Sequence, residues 1–237
     1  MSTAVTKTLL VLANSIKKYP DRCVAGLEMI SRDGNFLLGK WIRPVDPGQP
    51  EGAIPLRRTV IGGQAVGPLH CVEMTFTGPA SDPNHPEDWI LEAETPWKIV
   101  DRYDHSILDR LPDQTGDLWG MASAASRQVL KGTSAVTLRL IKPRNPVVVE
   151  AFHEFDSFKG KDQFKKVLTI RHENVNHLFS ITDPLFDQRH GLSPGRVSKG
   201  ERRTFELKPE NLVIVASLTP PLPNGYQYKI AAAILEP

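Results

Sequence analysis

Cysteine is scarce in this chain, with only Cys23 and Cys71 among 237 residues. Two thiols so far apart exclude a disulfide framework and a four-thiolate zinc site. Long hydrophobic runs are also missing, since no stretch approaches the roughly 20 apolar residues that span a bilayer. The apolar run near the N-terminus is shorter than the core of a signal peptide. We therefore expect a cytoplasmic protein that does not enter a membrane.

The excess of positive over negative charge is also small, because the formal net charge is only +2. A protein held to nucleic acid by bulk charge carries a larger excess, so any anionic partner must meet a local basic patch. Each of two candidate patches could equally be a solvated surface. The early patch holds Lys17, Lys18, Arg22, Arg32, Lys40, Arg43, Arg57 and Arg58, and the late patch holds Arg189, Arg196, Lys199, Arg202 and Arg203.

What the chain does have is alternation of apolar residues with period two, between its 20 prolines and 17 glycines. In HCVEMTF, for example, Val72, Met74 and Phe76 would share one face of a strand. The segments AVTLRLIKP, KKVLTIRH, LFSITDP, NLVIVASL and YQYKIAAAIL have the same character. This spacing is typical of barrels and sandwiches, so we predict a mostly β protein.

Helix is predicted only near the middle of the chain. Residues 98–111 place apolar side chains at steps of four, which is typical of an amphipathic helix that ends before Pro112. Residues 121–132 are a second candidate that ends at a glycine. With β-rich sequence on both sides, the pattern predicts two small β domains, residues 1–115 and 116–237, joined by a short helical segment.

A polar elbow interrupts the apolar sequence in LANSIKKYPDRCVAGLEM, residues 12–29. Its serine, lysine, arginine and cysteine could supply an activated nucleophile, but their spacing matches no serine-lysine or hydrolase motif. Asn14 and Ser15 could instead fasten the turn by bonds to the backbone. As a binding surface, Lys17, Lys18 and Arg22 offer charge-assisted donors for phosphate oxygens.

Two further segments carry candidate site residues. Trp41 and Arg43 would share a strand face, where the ring can stack on a base and the guanidinium can meet a phosphate. The alternative is that Trp41 packs in the core and Arg43 lies at a strand end. The loop NHPEDWIL brings His85, Glu87 and Asp88 together, but no second His or Cys follows at ligand spacing. We therefore predict no metal and no cofactor.

In their order along the chain, these segments resemble the bacterial dual OB-containing domain family. The elbow is followed by GKWIRPV, NHPEDWIL, FSITDP, VASL and YQYKIAAAIL, so the resemblance covers nearly the whole chain. It departs from the family pattern at Asp88, where an amide is commoner, and at residues 18–20, which replace a glycine-rich turn. The resemblance implies two OB-type barrels and an association with bacterial conflict or anti-phage defence systems.

Three functional hypotheses follow. The first is a nucleic-acid or nucleotide-binding accessory protein, with single-stranded nucleic acid or a nucleotide as ligand and a partner enzyme of the same system. The second is an enzyme with an inter-domain site, and the third is a protein-interaction module with an exposed apolar patch. The enzyme would use Ser15, Lys17, Arg22, His85 and Glu87. The predicted binding residues, most of them implied by the resemblance, are Asn14, Ser15, Lys17, Lys18, Arg22, Trp41, Arg43, His85, Glu87, Asp183 and Lys229.

Overall fold

A computed structural model describes residues 4–32, 35–93, 95–116, 118–119, 128–130, 136–157, 160–223 and 225–237. The chain forms two compact units. The N-terminal unit comprises Met1–Pro112 with Ala135–Leu138, and the C-terminal unit comprises Asp113–Ser134 with Arg139–Pro237. The described part is mostly strand, as predicted, and contains no helix long and apolar enough to cross a membrane. The division at residue 115 stays a prediction.

The N-terminal unit is a closed barrel. Its strands run in the order β1-β2-β3-β7-β6, and β6 pairs back onto β1. The β3–β7 pair is parallel, whereas the other pairs in the barrel are antiparallel. The strands of this unit are β1 (Val5–Lys18), β2 (Asp21–Arg32), β3 (Asn35–Val45), β4 (Val60–Ile61), β5 (Gln64–Ala65), β6 (His70–Pro79), β7 (Asp88–Leu91) and β8 (Lys98–Arg102).

Burial explains why these segments are strands. The predicted face of β6 is confirmed, because Val72, Met74 and Phe76 are all buried in the barrel core. In β1, by contrast, residues 9–13 are buried on both faces of the strand. Removing this apolar surface from water is the main driving force for closing the barrel. Two short 3-10 helices, Pro50–Gly52 and Leu56–Thr59, lie between β3 and β4.

The C-terminal unit has a related sheet, in which the described strands show no pairing that closes the barrel. Its sheet has the order β10-β15-β16-β13-β12-β11-β14, with β9 paired to β16 and a parallel β13–β16 pair. Its core is apolar and includes Phe179 and Phe186. The elements are β9 (Gln128–Leu130), β10 (Leu138–Ile141), β11 (Val147–Asp156), β12 (Lys161–His172), β13 (Val175–Ile181), α1 (Pro184–His190), β14 (Arg202–Leu207), β15 (Val213–Leu218) and β16 (Tyr226–Leu235).

The predicted amphipathic α-helix over residues 98–111 is wrong. This segment forms strand β8 followed by the 3-10 helix His105–Arg110. Ile99 pairs with Val72 on β6. The β6 backbone supplies hydrogen-bond partners for this segment, and the apolar spacing within residues 98–111 cannot reveal such a distant partner. Asp104 then accepts a hydrogen bond from the amide of Ser106 and begins the 3-10 helix. Most of the second helix candidate, residues 121–132, lies outside the described residues, and residues 128–130 within it are strand β9.

Candidate nucleic-acid interface

The elbow, defined here as residues 14–22, joins β1 to β2. Asn14 donates from Nδ2 to the carbonyl of Val66 at 2.7 Å. The hydroxyl of buried Ser15 donates to the carbonyl of Cys23 at 3.3 Å. Both side chains therefore bond to the backbone and fasten the base of the elbow, which is the structural role that the sequence left open for them.

The tip of the elbow carries an aromatic ring among cations. Tyr19 is 81% exposed and follows the exposed Lys18. Lys17 donates from Nζ to the backbone carbonyl of Glu51. Arg22 is half-buried, and its Nη1 is enclosed without a hydrogen-bond partner among the described residues. Burial lowers the pKa of Arg22, although Tyr19 and a neighbouring aspartate act in the opposite direction.

A buried polar cluster forms where the loop before β7 meets β3. It consists of Arg43, His85, Glu87, Asp88 and Thr137, all of which belong to the N-terminal unit. Arg43 Nε donates to Asp88 Oδ1 at 2.5 Å, and its Nη2 lies 3.5 Å from Glu87 Oε1. The Thr137 hydroxyl donates to Glu87 and lies 2.9 Å from His85 Nδ1. Because Thr137 donates its hydroxyl proton to Glu87, its oxygen can only accept a hydrogen bond from the His85 ring. We therefore assign a proton to Nδ1 of His85.

Electrostatics makes the members of this cluster mutually dependent. Burial raises the pKa of Asp88, and the guanidinium of Arg43 only partly offsets that effect. Burial also acts to raise the pKa of Glu87, but hydrogen bonds from His85 and Thr137 and the charge of Arg43 prevail and lower it. Desolvation opposes the charge on Arg43, yet the two carboxylates raise its pKa overall. Arg43 therefore serves as the internal counter-ion of the loop.

This arrangement corrects the prediction for Trp41 and Arg43. Trp41 is 9% exposed and Arg43 is 6% exposed, so neither side chain presents a surface on which a base or a phosphate could rest. The guanidinium already faces two carboxylates, which would repel an incoming phosphate. The alternative from the sequence, with Trp41 packed inside, describes the structure better.

The cluster also bears on the metal and enzyme hypotheses. Ligand atoms of His85, Glu87 and Asp88 lie within 4.8 Å of one another, and Arg43 already supplies a positive charge there. The structure brings His85 and Glu87 together, but both are buried. Burial raises the pKa of the Cys23 thiol despite the nearby charges of Arg43 and a lysine. Neither an accessible carboxylate nor a reactive thiolate is therefore offered to a substrate at this cluster.

Asp183, in the C-terminal unit, has a structural role. It is the N-cap of α1, and its Oδ1 accepts from the amides of Leu185 and Phe186 at 2.9 and 3.2 Å. Its Oδ2 accepts from the amide of Ile234 on β16 at 2.9 Å. Asp183 is buried, so the strand-end motif fixes α1 to the sheet and offers no surface to a nucleic acid.

Lys229, in the same unit, is fully buried, so the predicted contact with nucleic acid is not available to it in this arrangement. Its Nζ lies 3.4 Å from Nδ1 of His177. Burial, the charge of Lys229 and the nearby His172 together lower the pKa of His177 to about 4. At neutral pH, His177 is therefore an uncharged neighbour of a buried cation.

This pairing predicts acid sensitivity. An unfolded histidine binds its proton near pH 6.5, whereas His177 resists protonation until about pH 4, so the unfolded state gains protons first as the pH falls. Between these values, the free energy of unfolding should fall by roughly 2 to 3 kcal/mol. Urea denaturation at several pH values measures this, and His177→Gln should flatten the dependence whereas His172→Gln should keep most of it. An unchanged slope in His177→Gln would contradict the assignment.

Sequence reasoning missed two contributors to these sites. Tyr19 was noted only as part of an unusual turn, although an aromatic residue between two basic residues in a turn is a signal for stacking. Thr137 gave no signal, because a single threonine at a strand end has no distinguishing pattern. It joins the cluster only through its contacts with His85 and Glu87, which lie 52 and 50 residues away in the chain.

A family comparison identifies the architecture. The model of the dual OB-containing domain family (DuOB) matches residues 7–234. The chain belongs to this family. Among solved structures, a chain of a replication protein A heterotrimer bound to ssDNA is similar, with 9% identity and a TM-score of 0.33. The match covers 91% of this chain and 44% of the replication protein A chain, so this chain spans less than half of that chain's length. Comparison with curated proteins finds no match.

The DuOB assignment gives the two loops of the N-terminal unit a place in a known architecture. An OB barrel binds oligonucleotides on its second and third strands and on the loops between strands one and two and between strands four and five. In chain order, these five strands are β1, β2, β3, β6 and β7. The elbow is therefore the first of these loops, and residues 80–87, which contain His85 and Glu87, are the second.

Proposed function

We propose that the protein binds single-stranded nucleic acid through the elbow of its N-terminal OB barrel. The observation that carries the proposal is Tyr19, a ring 81% exposed at the tip of an OB binding loop with basic neighbours. Proteins that bind single strands without sequence preference combine aromatic stacking with cations along the backbone. The elbow has both parts of this arrangement.

In this proposal each part of the elbow has a separate task. Tyr19 stacks on a base, while Lys18 and Arg22 lie near the flanking phosphates and set the dependence on salt. Asn14 and Ser15 hold the base of the hairpin through their backbone bonds. The buried cluster keeps the second binding loop in place, so its residues act on binding only indirectly.

Three finer points also belong to the proposal, and the last of them comes from the family resemblance. They are a nucleotide as the alternative ligand, a partner enzyme of the same system, and a role in bacterial conflict or anti-phage defence. Small net charge supports a local contact rather than a long basic track, because only a few cations cluster at the elbow. A short single strand that spans the elbow is therefore the ligand we expect to bind best.

Fluorescence anisotropy tests the proposal. Labelled single-stranded DNA, single-stranded RNA and duplex DNA of equal length are titrated across a salt series. We expect single strands to bind more tightly than duplex. The slope of log affinity against log salt should be about −0.7 for each phosphate contact. No binding of any single strand at low salt would overturn the proposal.

Substitutions locate the contact. Tyr19→Ala should weaken single-strand binding by about 5- to 150-fold, since stacking on one base contributes about 1 to 3 kcal/mol. Tyr19→Phe keeps the ring and should bind like the unchanged protein. Lys18→Ala should reduce the salt slope by about 0.7, whereas Lys208→Ala, an exposed lysine of the C-terminal unit, is the matched control. Equal affinity of Tyr19→Ala and Tyr19→Phe would remove the ring from the site.

A further inference from the structure

The late basic patch lies in the C-terminal unit, and its cations are not all alike. Arg189, Lys199 and Arg202 each lie within 3.5 Å of a carboxylate oxygen. Arg196 and Arg203 have no ion pair with any acid in the part of the chain that the structure describes. Both are exposed. The patch therefore has two cations that are available to an external anion.

These two arginines reach the same point. Gly191 ends α1 with a φ of +62°, and a side-chain carbon placed there would lie 3.1 Å from Nη1 of Arg196 and 3.6 Å from Nη1 of Arg203. Any larger residue at this position would be strained and would displace the Arg196 guanidinium. The guanidinium of Arg203 also lies 5.9 Å from the ring centre of Phe205. Both guanidinium groups therefore lie close to Gly191, at the C-terminus of the helix.

A shallow cavity opens beside Arg196, and Arg203 is not part of its lining. It has a volume of about 200 Å³, and its lining includes Arg196, Gly191, Ser193 and Asp187. Oδ2 of Asp187 is paired with Lys166, which balances the charge of the carboxylate, while its Oδ1 is enclosed without a hydrogen-bond partner among the described residues. The side-chain donors of this lining are the Ser193 hydroxyl, the Gln188 amide and the Arg196 guanidinium. The cavity thus combines donors and positive charge with enough room for a small oxyanion.

We propose that Arg196 and Arg203 form an anion site that takes a phosphate group. The planar guanidinium presents paired N–H donors that match phosphate oxygens, and two unpaired guanidinium groups favour a doubly charged ligand. Arg196 lies between α1 and β14 and Arg203 lies on β14, both in the other unit from the elbow. It goes beyond the proposed function and does not depend on it. The phosphate can belong to a nucleic-acid backbone or to a small phosphorylated molecule.

Titration with inorganic phosphate tests the site. The full-length protein labelled with ¹⁵N is titrated at constant ionic strength, with chloride replaced by phosphate, and NMR follows the amides of Gly191 and Ser193. We expect shifts that saturate with phosphate concentration. Arg196→Gln and Arg203→Gln should each weaken the affinity obtained from these shifts about tenfold or more. Arg202→Gln is the matched control, because it removes a neighbouring arginine that is already paired with Glu150. Arg196→Lys keeps the charge but not the paired donors and should be intermediate.

Two results would overturn the site. One is a set of shifts that grow without saturation, and the other is an identical titration in the unchanged protein and in both glutamine variants. Phosphate should also raise the melting temperature of the unchanged protein by more than that of Arg196→Gln, because the general salt effect of phosphate is common to both and only the unchanged protein gains the full contribution of the bound ligand. Phosphate titration does not depend on oligonucleotide binding. The arginine site can therefore fail its test while the elbow proposal holds, and the elbow proposal can fail while the arginine site holds.

An oligonucleotide arm then identifies the source of the phosphate. If Arg196→Gln also weakens the binding of single-stranded DNA by anisotropy, the site contacts the nucleic-acid backbone. If Arg196→Gln loses phosphate binding while its affinity for single-stranded DNA is unchanged, the site serves a small phosphorylated ligand. Both results support the site and differ only in the molecule that carries the phosphate.

Discussion

Arg43→Met is expected to lower the free energy of unfolding by about 3 to 5 kcal/mol, because removing one partner strands the other charges in a buried site. Glu87 and Asp88 would then lie buried together without the guanidinium that faces both of them. Desolvation and mutual repulsion would favour protonated carboxyl groups or an open loop. Methionine fills much of the volume of the arginine stem, so the loss reports charge more than packing.

Urea denaturation followed by tryptophan fluorescence measures this effect, since Trp41, Trp89 and Trp97 all lie in the N-terminal unit. Arg57→Met, at an exposed arginine of the same unit, should change stability by less than about 0.5 kcal/mol.

Adding Glu87→Gln and Asp88→Asn to Arg43→Met should restore a large part of the loss, because no buried charge then lacks a partner. A change of less than about 1 kcal/mol in Arg43→Met alone would contradict the buried ion pairs. It would also make Arg43 a candidate phosphate ligand again.

Asp183→Ala is expected to cost about 2 to 4 kcal/mol, since it removes an N-cap and leaves backbone donors unsatisfied. One carboxylate serves both the start of α1 and the amide of Ile234 on β16, so its loss loosens the helix from the sheet. Asp183→Asn keeps one oxygen for the cap, so its stability should lie between those of the unchanged protein and Asp183→Ala.

Urea denaturation is again the measurement, with Asp104→Ala as the matched control. Asp104 also caps a helical segment, but it is exposed, so water can satisfy the freed amide and the loss should be much smaller. Affinity for single-stranded DNA should be unchanged in any Asp183 variant that stays folded. If Asp183→Ala kept its stability and lost affinity, Asp183 would be a ligand contact and the structural assignment would be wrong.

Local sequence patterns predicted much of the fold, because a strand is recognised by the alternation of its own residues. The segment YQYKIAAAIL corresponds to β16 from Tyr226 to Leu235. The segment KKVLTIRH and the start of LFSITDP also lie in strands, β12 and β13, and Glu173 and Asn174 between them have the positive φ values of a tight turn. The helix predicted over residues 98–111 failed because β6 offered β8 a backbone partner, which outweighs a weak helical period.

By itself, the sequence determined that the chain is mostly β, that it carries the dual OB motifs in order, and that a basic elbow interrupts its first hairpin. Only the tertiary structure decided which charged residues are available to a ligand. Arg43 stands opposite Asp88 in the parallel β3–β7 pair, although 45 residues separate them in the chain. A local pattern fixes the face on which a side chain lies, but long-range pairing chooses its partner. For that reason Arg43, Asp183 and Lys229 are buried, while Tyr19 and Arg196 remain exposed.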